Sequence, residues 1–192
     1  MKNWKLCTLI VALTWTITVK NNRVALWPYF EEQVFRLPDN EQCIWSRDGC
    51  YTWKEVYAQS NRYSQFLLSH GLNKGELVGF YLTNSPEFIY STLGTWALGA
   101  APAMINYHLT GDALVHCVKI SGAKLLLVDW DNECIARIAE VHDRLAEQLG
   151  VKTIILHRET KRYINSLQPI RPSNEYRDNM ALTFPMALIY TR

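Results

Sequence analysis

The pattern of apolar and polar residues is clearest just before the middle of the chain. A short, almost continuous apolar run at 77–82 is typical of a strand buried on both faces of a parallel sheet. Ser85 and Pro86 are residue types that begin a helix, and Gly99 is the type that ends one. A second apolar run follows at 101–105. The pattern predicts a right-handed β-α-β unit.

Three more apolar runs predict further strands of the same kind, at residues 124–129, 151–156 and 186–190. The stretches between the runs at 101–105, 124–129 and 151–156 show helical periodicity. Before the last run, the prolines and polar residues of 169–179 predict a loop. The predicted fold class is therefore α/β, with a mostly parallel sheet and helices on both faces. Ligands of such sheets bind beyond the carboxyl ends of the strands, which places candidate residues at 83–85 and 106–108.

Local signals in the sequence also predict where several helices and strands begin or end. Apolar residues recur at three- and four-residue steps over 24–37, which predicts an amphipathic helix. Asp48-Gly49 predicts a hairpin turn between two short strands. Thr52 and Glu55 have the spacing of a capping box, in which each side chain bonds the backbone N–H of the other residue. Thr110 is the predicted cap of the helix after the second strand.

The chain begins with an apolar segment whose role has three interpretations. Residues 6–19 carry no charge and lie between Lys5 and Lys20. As a helix they would span about 21 Å, which is less than the ~30 Å hydrocarbon core of a bilayer. The segment is a peripheral or partly inserted membrane anchor, a soluble N-terminal element, or a secretion signal or poorly defined chain start. The change in composition after it predicts a short segment, 1–22, and one domain, 23–192.

Composition excludes several classes of protein. A chain of 192 residues with 48% hydrophobic residues predicts one globular domain. The net charge is +2 and no run of Lys or Arg exceeds two residues, which argues against a nucleic-acid partner. The five cysteines are odd in number and include no CxxC pair, so neither a zinc site nor a disulfide framework is expected. A reducing compartment is favoured.

Few residues have a pattern that indicates chemistry. The sequence contains no GxGxxG, no GxxxxGK[ST] and no GxSxG, so neither a glycine-rich phosphate loop nor a hydrolase elbow is predicted. Asp112 and His116 are four residues apart and share a helix face, as an oriented base or as a surface ion pair. His108, at the predicted ligand edge, either contacts a ligand or is a loop residue. No pair of carboxylates argues for acid–base catalysis.

Four stretches of this sequence are familiar from one group of enzymes: residues 51–53 (YTW), 82–88 (LTNSPEF), 98–107 (LGAAPAMINY) and 109–117 (LTGDALVHC). They resemble the fungal very-long-chain acyl-CoA synthetases, also called fatty-acid transport proteins, of the AMP-forming adenylating superfamily. The resemblance covers about residues 27–191, and the part between 84 and 117 is specific to this subfamily. Residues before about 22 match nothing in it.

The resemblance implies an activity and a single candidate site residue. The family activates a fatty acid with ATP and Mg²⁺ to an acyl-adenylate and then passes the acyl group to CoA. Its phosphate loop runs Tyr-Thr-Ser-Gly-Thr-Thr-Gly, and here Tyr190 and Thr191 match the first two residues, whereas Arg192 stands where Ser is expected. Thr191 is therefore the one candidate cofactor-binding residue. No catalytic or metal-binding residue is assigned, because those parts of the family would follow residue 192.

These features predict part of the N-terminal domain of an acyl-adenylate-forming enzyme, truncated at the phosphate loop, inactive alone and binding no cofactor alone. The alternative function is a non-catalytic remnant that acts in binding or assembly and self-associates through an exposed sheet edge. An unrelated nucleotide-binding α/β domain is disfavoured, because no glycine fingerprint exists. The resemblance implies a fatty acid as partner. It also implies the cytosolic face of a membrane (endoplasmic reticulum, peroxisome or lipid droplet), with the cytoplasm as the alternative location.

Overall fold

The computed structural model describes residues 26–47, 49–181 and 183–190, which contain six α-helices and seven strands. The helices are α1 (Trp27–Arg36), α2 (Trp53–Ser69), α3 (Pro86–Ala97), α4 (Gly111–Ser121), α5 (Asn132–Asp143) and α6 (Arg158–Ser166). The strands are β1 (Gln42–Ser46), β2 (Gly49–Thr52), β3 (Leu77–Tyr81), β4 (Ala101–Met104), β5 (Leu125–Val128), β6 (Lys152–Ile155) and β7 (Leu188–Ile189). A π-helical turn, Arg144–Gln148, continues α5, and the apolar segment 6–19 lies outside the described residues.

Five strands form one parallel sheet in the order β6-β5-β3-β4-β7. The central strand is β3, in which Val78 lies opposite Leu125 of β5 on one side and Pro102 of β4 on the other. Strands β1 and β2 form a separate antiparallel hairpin, as predicted. All five predicted strands of the sheet are present, each one to three residues shorter than predicted. The predicted α/β fold class is confirmed.

Alternate residues of the central strands face two different apolar cores. Val78 and Phe80 belong to the core that is covered by α1, α2, α3 and α6. Tyr81 belongs to the other core, which is covered by α4 and α5. In β5, Leu127 and Leu126 divide between the two cores in the same way. Because every position of these strands is covered, the strands are apolar throughout, and this produced the continuous runs in the sequence.

The predicted helix starts are confirmed only in part by side-chain bonds. The capping box before α2 forms, with the Glu55 N–H donating to Thr52 Oγ1 at 3.2 Å and the Thr52 N–H donating to the Glu55 carboxylate at 2.8 Å. Ser85 and Thr110 occupy the predicted cap positions of α3 and α4, but neither hydroxyl accepts a capping hydrogen bond. The first turns of these two helices therefore keep N–H groups that no cap side chain satisfies.

The sequence pattern does not predict α6. This helix has nine residues, most of them polar, and buries one side chain, Ile164, so it contains no repeated apolar positions from which to predict it. Its cap is also an unusual type, because Nδ1 of His157 accepts hydrogen bonds from the N–H groups of Glu159 and Thr160, at 3.2 and 3.1 Å. Tertiary burial and a histidine cap replace the usual sequence signals here.

Helices α2 and α3 approach each other closely at Gly94. A Cβ atom built on Gly94 would lie 2.8 Å from the carbonyl oxygen of Ser60 and 3.0 Å from the backbone nitrogen of Ser64. Both contacts are to backbone atoms, which cannot move without moving the helix. The hydroxyl of Ser60, which lies in this interface, donates to the Val56 carbonyl at 2.7 Å. Its hydrogen bond is therefore satisfied within α2 and needs no partner on α3. Gly94 therefore fixes how close α3 lies to α2.

We expect Gly94→Ala to destabilise the fold by about 1–3 kcal/mol, because overpacking against backbone forces the two helices apart. Urea denaturation followed by circular dichroism measures the change. The matched control is the reverse substitution at an exposed helical position, Ala113→Gly in α4. It should cost about 1 kcal/mol through helix propensity alone. A Gly94→Ala protein that is as stable as the parent, or more so, would show that the close approach imposes no constraint.

Candidate ligand site at the carboxyl edge of the sheet

The carboxyl ends of β3, β4 and β5 meet at one edge of the sheet, as parallel strands require. The loops that follow them begin at Leu82, Ile105 and Asp129. The sequence predicted candidate residues at 83–85 and 106–108. The structure brings residues 83–85 and Tyr107 around one cleft, whereas Asn106 and His108 lie outside its lining. The predicted edge is therefore the place where candidate polar side chains converge, although not all of the predicted residues take part.

Asp129 fixes the loop that follows β3. Its Oδ2 accepts a hydrogen bond from the Thr83 N–H at 2.9 Å and one from the Thr83 hydroxyl at 2.5 Å. These bonds join the ends of two adjacent strands and hold the backbone that leads into Ser85 and the first turn of α3. In the sequence, Asp129 is the last residue of a predicted strand, and no role is predicted for it. A polar residue directly after a buried strand is the signal that could have identified it.

The loop after β4 is held by three hydrogen bonds. The hydroxyl of Tyr81 donates to the Leu109 carbonyl at 2.6 Å, and burial raises the pKa of Tyr81 to about 12, so this group stays a donor at neutral pH. Nη1 of Arg137 donates to the Tyr107 carbonyl at 2.8 Å. The His108 N–H donates to Oδ1 of Asn106 at 2.9 Å. These three hydrogen bonds fix the backbone of the loop.

His108 itself is exposed, and its ring packs against Tyr107 with the ring centroids 4.2 Å apart. Of the two alternatives that the sequence left open, this favours a loop residue over a ligand contact.

The predicted pair of Asp112 and His116 is corrected by the structure. Oδ1 of Asp112 lies 2.8 Å from Nη2 of Arg144, which belongs to the π-helical turn after α5. Among the described ion pairs, the partner of Asp112 is Arg144, and none joins Asp112 to His116.

A cleft of about 1000 Å³, here called the hairpin cleft, lies between the β1–β2 hairpin and the start of α3. Its lining combines apolar, polar and one cationic side chain, from the residues Ile44, Trp45, Ser46, Arg47, Thr83, Asn84, Ser85, Pro86, Phe88, Ile89 and Tyr107. A volume of this size is at the upper end of the range for small-molecule sites. The hairpin residues of the lining were not candidates from sequence, because their place over α3 depends on tertiary packing.

Strand β7 is held in the sheet by side chains of two helices. The indole N–H of Trp96 in α3 donates to the Met186 carbonyl at 2.7 Å, and the hydroxyl of Tyr190 donates to the Cys117 carbonyl of α4 at 2.9 Å. Both faces of the sheet therefore contribute to positioning this short strand. Thr191, the candidate phosphate-loop residue, lies outside the described residues.

A long segment between α6 and β7, here called the strap (residues 167–187), is fixed by two arginines. Arg171 forms a two-point ion pair with Glu31 of α1, at 2.5 and 2.7 Å. Burial alone would raise the pKa of Glu31, but the hydrogen bonds from Arg171 and Tyr57 outweigh it and lower the pKa. Arg177 is buried, donates to the Ala97 carbonyl at the end of α3, and has a pKa lowered by that burial to about 10. The strap is thus tied to the helical layer that covers the sheet.

Among the described residues, no three His, Cys, Asp or Glu side chains converge as metal ligands. The four described cysteines are free thiols. Within 26–47, 49–181 and 183–190, no helix combines the length and the apolar character that crossing a bilayer requires.

Comparison with known families identifies the class of protein. A family model described as "AMP-binding enzyme" matches residues 30–191, which is most of the chain. The chain therefore belongs to the AMP-binding enzyme family. This match runs from α1 through the whole parallel sheet to the residue that follows Tyr190.

Two curated relatives from fungi match most of this chain. The chain is 38% identical over 148 residues to isopenicillin N epimerase component 1 of Hapsidospora chrysogena, which covers 77% of this chain and 24% of the relative. It is 29% identical over 175 residues to the very long-chain fatty acid transport protein of Cochliobolus heterostrophus, which covers 90% of this chain and 26% of the relative. The chain thus spans about a quarter of the length of these curated relatives. The predicted resemblance to fungal fatty-acid transport proteins is confirmed.

The solved structure of a Mycobacterium tuberculosis fatty acyl CoA synthetase has the same fold over most of this chain. The TM-score is 0.74, the sequence identity is 19%, and the match covers 91% of this chain and 33% of that one. At this level of identity the likeness shows the fold alone. It supports the sheet order and the two-layer covering described above.

We expect Asp129→Ala to loosen the loop after β3, because the Thr83 N–H loses its acceptor in a half-buried position. An unsatisfied buried donor typically costs about 1–3 kcal/mol. Amide hydrogen exchange at Thr83 should therefore accelerate by about tenfold or more, and exchange within β5 should stay unchanged. Asp129→Asn keeps an acceptor oxygen and is the control, with an intermediate effect. Equal protection of Thr83 in the parent and in Asp129→Ala would remove Asp129 from the ordering of this edge.

Proposed function

We propose that this chain forms the first part of the adenylation domain of an acid–CoA ligase. Such an enzyme converts a carboxylic acid to an acyl-adenylate with ATP and then to an acyl-CoA. The observation that carries the proposal is the extent of the family match, which includes every strand of the parallel sheet and reaches residue 191. Thr191 is proposed as the first hydroxyl of the phosphate loop, a role that rests on its place in the sequence after Tyr190.

The described residues supply positioning rather than a complete catalytic site. Among them, no three His, Cys, Asp or Glu side chains converge as metal ligands. Their proposed contribution is to hold β7 in register through Trp96 and Tyr190, and thereby to set the direction of the chain at residue 191. Positioning of this kind accounts for a large share of the rate in group-transfer enzymes.

Two classes of carboxylic acid are candidates for the substrate of this ligase. A fatty acid is supported by the name of the relative from Cochliobolus heterostrophus, at 29% identity. A different carboxylic acid is supported by the relative from Hapsidospora chrysogena, which is named as an epimerase component and is 38% identical. Thioester formation acidifies the C–H next to the carbonyl, which is the bond that an epimerisation at that carbon must break. A CoA ligase would therefore serve either chemistry.

A non-catalytic role in assembly is the second candidate function. Strand β7 pairs with β4 and is the last strand of the described sheet on that side. Its residue Ile189 is 66% exposed, which makes this edge an available surface for pairing with another chain. Self-association through β7 would place the protein among binding modules rather than enzymes.

The test of the ligase proposal is acid-dependent exchange of labelled pyrophosphate into ATP. A chimera carries this chain's residues 26–190 in place of the aligned segment of the Cochliobolus heterostrophus relative. We expect the chimera to catalyse exchange, because its grafted sheet presents the relative's own phosphate loop. The purified 192-residue chain is expected to catalyse none. Losing even one donor that stabilises transition-state charge typically costs about a hundred- to a thousandfold in rate.

Two results would contradict this proposal. A chimera that folds, as judged by a cooperative melting transition, yet shows no exchange with fatty acids or with other carboxylic acids would favour the assembly role. Exchange by the 192-residue chain alone, above a no-protein blank and dependent on added acid, would show that the chain does not need the residues of a complete phosphate loop. The pattern of acids accepted by the chimera also compares the two substrate candidates.

We further propose a peripheral membrane contact through residues 6–19, which are apolar but short. Deleting residues 1–22 should shift the protein from the floating to the soluble fraction in a vesicle flotation experiment. Replacing the four threonines of the segment by leucine (Thr8, Thr14, Thr16 and Thr18) is the opposite control, and should increase flotation by making the stretch more apolar at the same length. A distribution that neither variant changes would exclude this segment as an anchor.

A further inference from the structure

A second cavity, here called the tyrosine cavity, lies where the first turns of α3 meet α2, α6 and strand β2. Its volume is about 200 Å³, and its lining consists of Tyr51, Gln59, Tyr63, Pro86, Glu87, Tyr90, Lys161 and Asn165. A cavity of this volume is smaller than a site for a drug-sized ligand and larger than the about 30 Å³ that one water occupies in the liquid. Its size therefore suits a single small molecule.

Two side chains of the lining carry polar atoms without hydrogen bonds. Tyr90 is 6% exposed, and its hydroxyl is buried with no hydrogen-bond partner among the described residues. Oε1 of Gln59 is buried and without a partner in the same way. Burial raises the pKa of Tyr90, so its hydroxyl stays protonated at neutral pH and can donate. An unpaired buried donor or acceptor is costly, and both groups therefore point to a partner from outside the chain.

The two charged side chains on the described wall of the cavity neutralise each other. Nζ of Lys161 lies 2.6 Å from Oε1 of Glu87, and the two side chains are 36% and 22% exposed. A charged ligand would lose its hydration and would have to compete with one member of this ion pair for the other. A neutral ligand leaves the ion pair intact. The electrostatics of the cavity therefore favour a neutral molecule.

Aromatic rings form a large part of the remaining wall. The ring of Tyr90 packs edge-on against Tyr51, with the ring centroids 6.1 Å apart, and its centroid lies 6.0 Å from that of Tyr63. Aromatic side chains pack favourably on other aromatic rings in stacked or edge-to-face arrangements. These three tyrosines therefore favour a ligand with a flat ring.

We propose that the tyrosine cavity binds a small, neutral aromatic carboxamide. The N–H₂ group of the carboxamide donates to Oε1 of Gln59, and its carbonyl accepts from the hydroxyl of Tyr90. The ring of the ligand lies against Tyr51 and Tyr63. A primary amide supplies, in one planar group, the donor and the acceptor that the two wall atoms lack. The proposal goes beyond the ligase function, because it involves no residue of the phosphate loop, no carboxylic acid and no ATP.

The experiment titrates the ¹⁵N-labelled 192-residue chain with three probes of nearly the same shape: benzamide, benzoate and benzamidine. At neutral pH these are a neutral molecule, an anion and a cation. The side-chain N–H₂ signals of Gln59 report binding, and they are assigned by their loss in Gln59→Met. We expect benzamide to shift these signals saturably and to bind more tightly than either charged probe.

Tyr90→Phe removes only the hydroxyl that donates to benzamide. Its affinity for benzamide should fall about two- to tenfold, the size expected for one neutral hydrogen bond. Its midpoint of thermal unfolding without ligand should stay the same or rise, because the variant loses an unpaired buried group. The matched control is Tyr163→Phe, which removes the same atom from a residue of α6 that is 49% exposed, and should change neither quantity.

Lys161→Met tests the argument from charge. Without Lys161, the carboxylate of Glu87 lacks its counter-ion. Benzamidine should then become the tightest of the three probes, and a variant that keeps the parent's order of affinities would contradict the proposal.

Three further results would overturn it. The first is the lack of a saturable shift with benzamide in the parent chain. The second is binding of benzoate or benzamidine to the parent at least as tightly as benzamide, since neutrality would then play no part. The third is a Tyr90→Phe variant with the parent's affinity for benzamide, or with a lower unfolding midpoint, which would show that the hydroxyl serves the fold instead of a ligand.

Discussion

Burial of β3 on both of its faces is the constraint on which the rest of this structure depends. Val78 and Phe80 need one apolar layer, and Tyr81 needs another, so helices must cover both sides of the sheet. Each crossover between parallel strands then returns the chain to the same end of the sheet. The polar loops after β3, β4 and β5 therefore gather at one edge because of the strand topology, and the hydrogen bonds from Thr83 to Asp129 then join two of them. Gly79 allows Leu126 to pack closely against β3 on one face, because a Cβ at position 79 would lie 2.7 Å from Cδ1 of Leu126.

The sequence was sufficient wherever burial is continuous and local. The five strands, the capping box of Thr52 and the glycine that ends α3 all follow from runs and spacings of a few residues. Sequence reasoning failed where the partner is distant. The ion pair of Arg171 with Glu31 joins residues 140 positions apart, and α6 is a mostly polar helix that buries one side chain, Ile164. Neither feature leaves a periodic trace in the sequence.

The candidate site shows the same division between local and distant signals. The edge of the sheet was predictable, because strand ends are visible in the apolar pattern. The hairpin cleft was not, since Trp45 and Arg47 are brought beside α3 by the packing of a separate two-stranded unit. His108 illustrates the converse, because it has the right position in sequence but packs on Tyr107 outside the cleft. Family membership therefore identifies the fold, whereas the role of each side chain at the sheet edge has to be argued from its own contacts.

The position of β7 has a consequence for the order in which the chain folds. Ala103 of β4 pairs with Leu188, a residue 85 positions later, whereas its pairing with Gly79 of β3 spans 24 positions. Closing the longer loop costs more entropy and returns only two residues of strand pairing. Non-local pairings of this kind form late. We therefore expect the β3–β4–β5 unit to assemble first, and the end of the sheet that carries β7 to be the last part to become native.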